Sequence, residues 1–229
     1  MNTIPINVVE LLAALMGTLY WLKNKNDVLN KLLVLFLWIN FLVEIIGIYP
    51  TVAYYTNYEY FSFVKDTPFK RNKWMYNIFI PLTYFFYAYY FRKHITNELN
   101  RKLIKIGAYL YLLGSTINLL LTDVYFTTDS KFSVIVGSAL LLLCVFLYYF
   151  ELLRSNYVLE LKQRLSFYVS VGLLVFTLCA TPILILSHYF SESSGNSLFI
   201  ALHGKVILGA NIFMYLTFAL GFYLCSKKK

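Results

Sequence analysis

Three ionisable residues lie inside long apolar runs, where a charge is costly and therefore marks a candidate functional site. They are Glu10, Glu44 and Lys205. Counted along their helices, all three lie about two turns below the same end of a helical bundle. A lysine between two carboxylates would offset much of the cost of burying them, so the spacing predicts one charge cluster. The alternative is that Lys205 extends to the interface while the carboxylates meet water or stay protonated.

Uncharged polar residues are concentrated in the same half of the apolar runs. On the first run, Asn7 and Glu10 share one stripe with Ala14 and Gly17, as an inward helical face requires. This gradient predicts a ligand-binding cavity open to the outside, with candidate residues Glu10, Glu44, Lys205, Asn40, Asn77, Asn118, His203 and Asn211. The alternative is that these side chains only join helices to one another, as polar residues commonly do in lipid.

Other chemistries have weaker support in the sequence. His188, Glu192 and His203 are weak candidates for a zinc site, because their spacing is not typical of one. A retinal protein needs a lysine near mid-membrane and an acidic counterion, whereas Lys205 lies near a helix end and the third helix offers Asn77. The sequence has no G-x-S-x-G, H-E-x-x-H or phosphate-binding glycine loop. We therefore expect neither an enzyme nor a cofactor.

The composition indicates the kind of fold that must position these residues. Of 229 residues, 59% are hydrophobic and only 14% are charged, against about 25% charged in soluble domains, which cannot hide so much apolar surface. Apolar runs of about 20 residues cross a bilayer as helices. Seven such runs predict a single all-α transmembrane domain, with helices at about 4–22, 32–49, 74–91, 103–121, 132–150, 165–189 and 198–225. Three cysteines without C-x-x-C spacing exclude a disulfide framework.

Basic residues are divided unevenly between the two ends of the predicted seven-helix bundle. Fourteen of the 20 lysines and arginines fall on the end that holds the C-terminus, five fall on the other end, and the last is Lys205. Because the basic end stays in the cytoplasm, we predict an N-terminus outside and a cytoplasmic C-terminus, in a bacterial inner membrane. The net charge of +9 then reflects topology and the lipid surface, and no basic patch with interleaved aromatics argues for nucleic acid.

Two predicted helices share a pattern that indicates an internal repeat. NIFIPLTYFFYAYYFRK begins at Asn77 in the third helix and NIFMYLTFALGFYLCSK begins at Asn211 in the seventh, and seven of 17 positions are identical without a gap. The second and sixth helices also agree in outline, since each runs from a basic residue to a proline. Helices 1–3 and 5–7 are therefore predicted to be two parallel repeats joined by helix 4, a 3+1+3 plan.

This plan resembles the broad group of transporters, opsins and seven-helix receptors. The composition and the YNIF start of the third helix also resemble seven-helix membrane proteins of AT-rich Bacteroidota genomes. The likeness covers nearly the whole chain, is architectural and implies no activity. The predicted function is a receptor-like or sensory protein that binds a small ligand from outside and presents basic loops to a cytoplasmic or membrane protein partner. Two alternatives stay open: a small-solute transporter coupled to protons or cations, and a structural membrane subunit of a larger complex.

Overall fold

Several helices begin at capping residues rather than at the edges of the apolar runs. A computed structural model describes residues 4–155, 161–186 and 197–226. The side chains of Asp27, Asn97 and Ser130 each accept a hydrogen bond from the backbone N–H three residues farther on, which starts a helix at the next residue. The helices starting after Asp27 and Asn97 therefore begin several residues earlier than predicted, because their first turns carry charged residues that lie outside the apolar run.

Each of the seven predicted segments corresponds to a helix over its described residues. In chain order the helices are α1 (Ile4–Lys23), α2 (Val28–Ile46), α3 (Tyr49–Tyr55), α4 (Lys73–His94), α5 (Glu98–Leu121), α6 (Val124–Thr127), α7 (Lys131–Arg154), α8 (Leu165–Leu186) and α9 (Ser197–Ser226). Two short 3-10 turns, Ser62–Val64 and Pro68–Lys70, lie between α3 and α4.

Among the described residues, six helices are long and apolar enough to cross a membrane. They are Ile4–Lys23, Val28–Tyr55, Glu98–Leu121, Lys131–Arg154, Leu165–Ile183 and Leu202–Ser226. The third predicted span, α4, has 22 residues but is not among the six, because tyrosines and polar residues replace many of the aliphatic side chains that the others carry. The chain is thus a helical protein of the multi-pass membrane type, and the seventh span stays a prediction.

Six of the helices form a ring, and α5 packs outside it. Around the ring α1 contacts α2 and α9, α8 contacts α9 and α7, and α7 contacts α4. Side-chain contacts between α2 and α4 close the ring, with the rings of Phe36 and Phe86 stacked at a centroid distance of 3.9 Å. Outside the ring, α5 lies against α4 and α7.

The helix α1 shows how the sequence divides between the interior and the surrounding solvent. Its buried residues are Glu10, Ala13, Ala14, Gly17 and Tyr20, which follow the helical period along one stripe. The opposite face carries leucines such as Leu15 and Leu19, which are exposed. Large apolar side chains directed away from the protein suit a helix in hydrocarbon, where leucine needs no cover from water.

The two ends of the bundle differ in the size of the side chains buried near them. We call the end with the α1–α2 connection the Asp27 end, and the end with the α5–α7 connection the Asp123 end. Large side chains that are almost completely buried fill the half toward the Asp27 end: Leu33, Leu37, Tyr90, Phe91, Phe218 and Phe222. Most of the buried polar residues, such as Glu10, Asn77 and Ser133, lie in the other half.

Two glycines allow α8 and α9 to pack closely. A Cβ atom added at Gly172 would lie 2.8 Å from the ring of Phe218, and one added at Gly221 would lie 2.6 Å from Cβ of Tyr168. Each glycine thus accommodates an aromatic side chain of the other helix, which is the role of small residues between membrane helices.

Candidate functional site

Glu10 is a fully buried acid that joins α1 to α9. Its side chain has no solvent exposure, and the hydroxyl of Tyr215 donates a hydrogen bond to Oε1 at 2.8 Å. The other carboxylate oxygen, Oε2, is buried and has no hydrogen-bond partner among the described residues. A buried polar atom without a partner is rare in folded proteins and calls for an explanation.

Glu44 lies near Glu10 and has a similar tyrosine partner. The hydroxyl of Tyr76 donates to Oε2 of Glu44 at 3.0 Å, and Glu44 is half-buried. Only a glycine leaves room for that hydroxyl, since a Cβ at Gly47 would lie 2.5 Å from it. The charges of Glu44 and Glu10 are close enough to interact. We call Glu10, Glu44, Tyr76 and Tyr215 the carboxylate cluster.

The two carboxylates lie at similar distances from the Asp27 end, with Glu10 about two turns from the opposite end of α1 and Glu44 near the middle of the second span. Glu10 is 13 residues before Lys23, and Glu44 is 16 residues after Val28. At the helical rise per residue, these positions are about 20 and about 24 Å from the Asp27 end. Because α2 is followed directly by α3, the second span continues 11 residues beyond Glu44, and this acid lies deeper than its predicted depth of about two turns.

Lys205 does not join the carboxylates. Its side chain is exposed and forms no ion pair with Glu10 or Glu44. It precedes Tyr215, the α9 partner of Glu10, by ten residues, which is about 15 Å along the helix. Elsewhere in the structure, Lys73 forms an ion pair with Asp129 at 2.6 Å. The structure therefore contains the two acids of the predicted charge cluster without its lysine.

Asn77 and Asn118 hold a connecting segment in place instead of lining a central cavity. The amide nitrogen of the buried Asn77 lies 2.8–3.1 Å from the carbonyl oxygens of Val124, Tyr125 and Thr128, and its Oδ1 accepts from the backbone N–H of Ser130 at 2.9 Å. Asn118 Oδ1 accepts from the Ser130 hydroxyl at 3.1 Å. Both asparagines thus fix the segment that leads into α7.

The remaining predicted site residues do not converge on one point. Asn40 and Asn211 each donate to the carbonyl four residues earlier in their own helix, at 3.0 and 2.9 Å. His203 is half-buried on α9. The weak metal candidates His188 and Glu192 lie outside the described residues, and inside them no three His, Cys, Asp or Glu side chains are grouped to hold a metal.

A cavity of about 1150 Å³ lies between α4, α5 and the two connections at the Asp123 end. Its walls are mostly apolar and come from α4 and α5, with Ile78, Pro81, Leu82, Leu112 and Leu119 among them. Lys70, Arg71 and Asp123 add charged groups to the lining from the connections. Of the predicted site residues, Asn77 lines this cavity, whereas the predicted charge cluster lies on the first, second and seventh helices.

A polar network at the Asp27 end was missed by the sequence reasoning. Asp27 Oδ2 accepts from the hydroxyl of Tyr20 and from the amide of Asn30, both at 2.7 Å, and Oδ1 accepts from the Asn30 backbone N–H at 3.2 Å. The fully buried Tyr90 donates to Oδ1 of Asn30 at 2.8 Å. We call Tyr20, Asp27, Asn30 and Tyr90 the Asp27 network. An acid immediately before an apolar run is a helix-cap signal that could have indicated its centre.

No family model matches the sequence, no curated protein matches it, and no solved structure matches it. The chemistry of the carboxylate cluster and of the cavity is therefore inferred from this chain's own contacts.

Proposed function

We propose that this chain is a receptor-like or sensory seven-helix membrane protein that binds a small ligand between α4 and α5. The observation that carries this proposal is the cavity of about 1150 Å³ at the Asp123 end. Small-molecule sites have apolar walls and a few polar groups that orient the ligand, and their volumes are of this order. Toward the Asp27 end, α4 and α5 pack against each other through the rings of Phe85 and Tyr109 and the buried Ile104 and Ala108, which suits binding from the Asp123 end.

The lining favours an amphiphilic ligand. Apolar side chains of α4 and α5 would contact its body, while Lys70 and Arg71 would donate hydrogen bonds to a polar end and Asp123 would accept them. Leu82 and Leu120 are also exposed on the outside of the bundle, so a ligand could enter from the lipid as well as from the water.

The orientation and the repeat belong to the same proposal. The excess of basic residues at the Asp27 end favours a cytoplasmic location for that end, where a protein partner would bind, and an outside location for the cavity. The ring follows chain order and leaves α5, the predicted linker helix, outside it, which is compatible with the 3+1+3 plan. Asn77 and Asn211 would be equivalent in that repeat, although their hydrogen bonds differ.

A substitution that fills the cavity tests the ligand. Thr116 lines the cavity, and Thr116→Trp would occupy part of it. The matched control is Leu113→Trp, because Leu113 is on the same helix, is exposed and does not line the cavity. Native mass spectrometry of the protein purified from its host membrane should show a discrete small-molecule adduct on the wild type and on Leu113→Trp, and none on Thr116→Trp. An adduct retained by Thr116→Trp, or none on the wild type, would contradict the proposal.

A second candidate function is a small-solute transporter coupled to protons or cations. The observation that favours it is Glu10, whose contact with Tyr215 joins the first predicted repeat to the second. Coupling sites of transporters lie near mid-membrane between their repeats. Gradient-driven uptake of a solute into proteoliposomes, lost in Glu10→Gln, would favour the transporter over the receptor.

A further inference from the structure

Two buried oxygen atoms on α1 have no hydrogen-bond partner among the described residues. They are Oε2 of Glu10 and Oδ1 of Asn7. Residues three apart on a helix have Cβ atoms about 5–6 Å from one another, so both side chains extend from the same face. Each atom can only accept a hydrogen bond when the acid is ionised, and therefore neither can satisfy the other.

Among the described residues, the groups that donate hydrogen bonds to Glu10 and Glu44 are tyrosines, which carry no positive charge. The hydroxyl of Tyr215 is used by Oε1 of Glu10, and the hydroxyl of Tyr76 is used by Glu44. Glu44 adds a second negative charge within electrostatic range. Lys205, the basic residue predicted to balance the acids, is exposed and makes no ion pair with them. A buried carboxylate without a compensating charge is strongly unfavourable, so Glu10 takes up either a proton or a cation from solution.

We propose that Glu10 Oε2 and Asn7 Oδ1 bind a monovalent alkali metal cation inside the bundle. Carboxylate and amide oxygens are hard ligands, which favour alkali and alkaline-earth ions over transition metals. One positive charge balances the one carboxylate that is fully buried, while Glu44 is half-buried and partly solvated.

The position of Asn7 gives the cation a path to the site. Asn7 is half-buried, one helical turn from Ile4, which is 66% exposed at the Asp123 end of α1. Glu10 follows one turn deeper and is completely buried. The site would therefore exchange its ion through the Asp123 end, independently of whether the α4–α5 cavity holds a ligand.

Thermal unfolding in a neutral detergent tests this site. At fixed pH and ionic strength, choline chloride is replaced stepwise by NaCl, KCl or LiCl. We expect one of these alkali ions to raise the melting temperature of the wild type by several degrees in a saturable manner, because an ion that binds only the folded state stabilises it by mass action. Glu10→Gln should abolish the response, and Asn7→Ala should shift its midpoint to at least about tenfold higher concentration, the equivalent of losing one charge-assisted ligand. Glu98→Gln, an exposed acid at the start of α5, is the control and should respond like the wild type.

Several outcomes would overturn the proposal. One is an equal response in Glu10→Gln, and another is a wild type whose melting temperature follows pH but not any alkali ion, which would assign the site to a proton. If Glu10→Gln does not fold, the test is a comparison of the ²³Na NMR line width in the presence of the wild type and of Asn7→Ala. The wild type should broaden the ²³Na line and Asn7→Ala should broaden it less, whereas equal line widths would refute the site.

Discussion

The acid of the Asp27 network accepts more hydrogen bonds than the more deeply buried acid of the carboxylate cluster, Glu10. Asp27 is half-buried and accepts three hydrogen bonds, from Tyr20 and from the backbone and side chain of Asn30. Glu10 is completely buried and accepts one. The acid with less access to water therefore has fewer donors. A structural acid is expected to be fully paired within the protein, so this contrast assigns Asp27 to stability and leaves Glu10 available for binding.

The largest expected effect comes from breaking the Asp27 network. Asp27→Ala removes the helix cap of α2 and the acceptor of three hydrogen bonds, and should lower the free energy of unfolding by about 3 kcal/mol. For a chain of this length, that corresponds to a decrease of about 6–12 °C in melting temperature. Asp27→Asn keeps Oδ1 as an acceptor and should lose less than half as much. If Asp27→Ala melts like Asp27→Asn, the network is not what stabilises this end.

An intermediate effect is expected from Asn77, compared with its counterpart in the predicted repeat. Asn77→Leu leaves buried backbone groups of the segment before α7 without their partner, and should cost about 2–3 kcal/mol. Asn211→Leu removes a bond within one helix turn and should cost less than about 1 kcal/mol, because a membrane helix tolerates leucine. Melting temperatures of the two variants in the same detergent check this ranking. Equal losses would contradict the structural role given to Asn77.

The smallest effect is expected from Lys205→Met. Because the side chain is exposed and makes no ion pair with Glu10 or Glu44, its removal should change the melting temperature by no more than about 2 °C. A large destabilisation would show that Lys205 compensates the carboxylates in solution, and the contrast between Glu10 and Asp27 would then disappear. The measurement is a melting curve of the variant beside the wild type at low ionic strength, where any such charge interaction is strongest.

The positions of the helices could be predicted from the sequence, whereas the contacts between helices mostly could not. Six of the predicted segments coincide with helices apolar enough to cross a membrane, because hydrophobicity is a property of the segment itself. Two of the starts were missed because capping residues, Asp27 and Asn97, decide them rather than the apolar border. Counting residues along helices of known rise gave the depth of Glu10, whereas Glu44 lies deeper than predicted.

The predictions about the site that were wrong or missing concern contacts between segments that are distant in the sequence. Tyr215 could not be identified as the partner of Glu10 among 21 tyrosines, since the rotation of α9 is set by its packing. Lys205 was placed level with the acids, but the relative axial position of α1 and α9 is not visible in either helix alone. Asn77 was predicted to bind a ligand, whereas its partners belong to a segment 47 to 53 residues farther along the chain. A contact over that separation cannot be recognised from the sequence around Asn77.

The boundary between α2 and α4 is held by side chains, whereas α8 and α9 are held by a close approach of the helices at glycines. Few backbone positions of α2 and α4 lie close together, because aromatic side chains fill the space between the two helices. Two hydrogen bonds also cross this boundary near its opposite ends, from Tyr90 to Asn30 and from Tyr76 to Glu44. A substitution that shortens one of these side chains removes the contact itself, so this boundary depends on large residues in the same way that the α8–α9 interface depends on small ones.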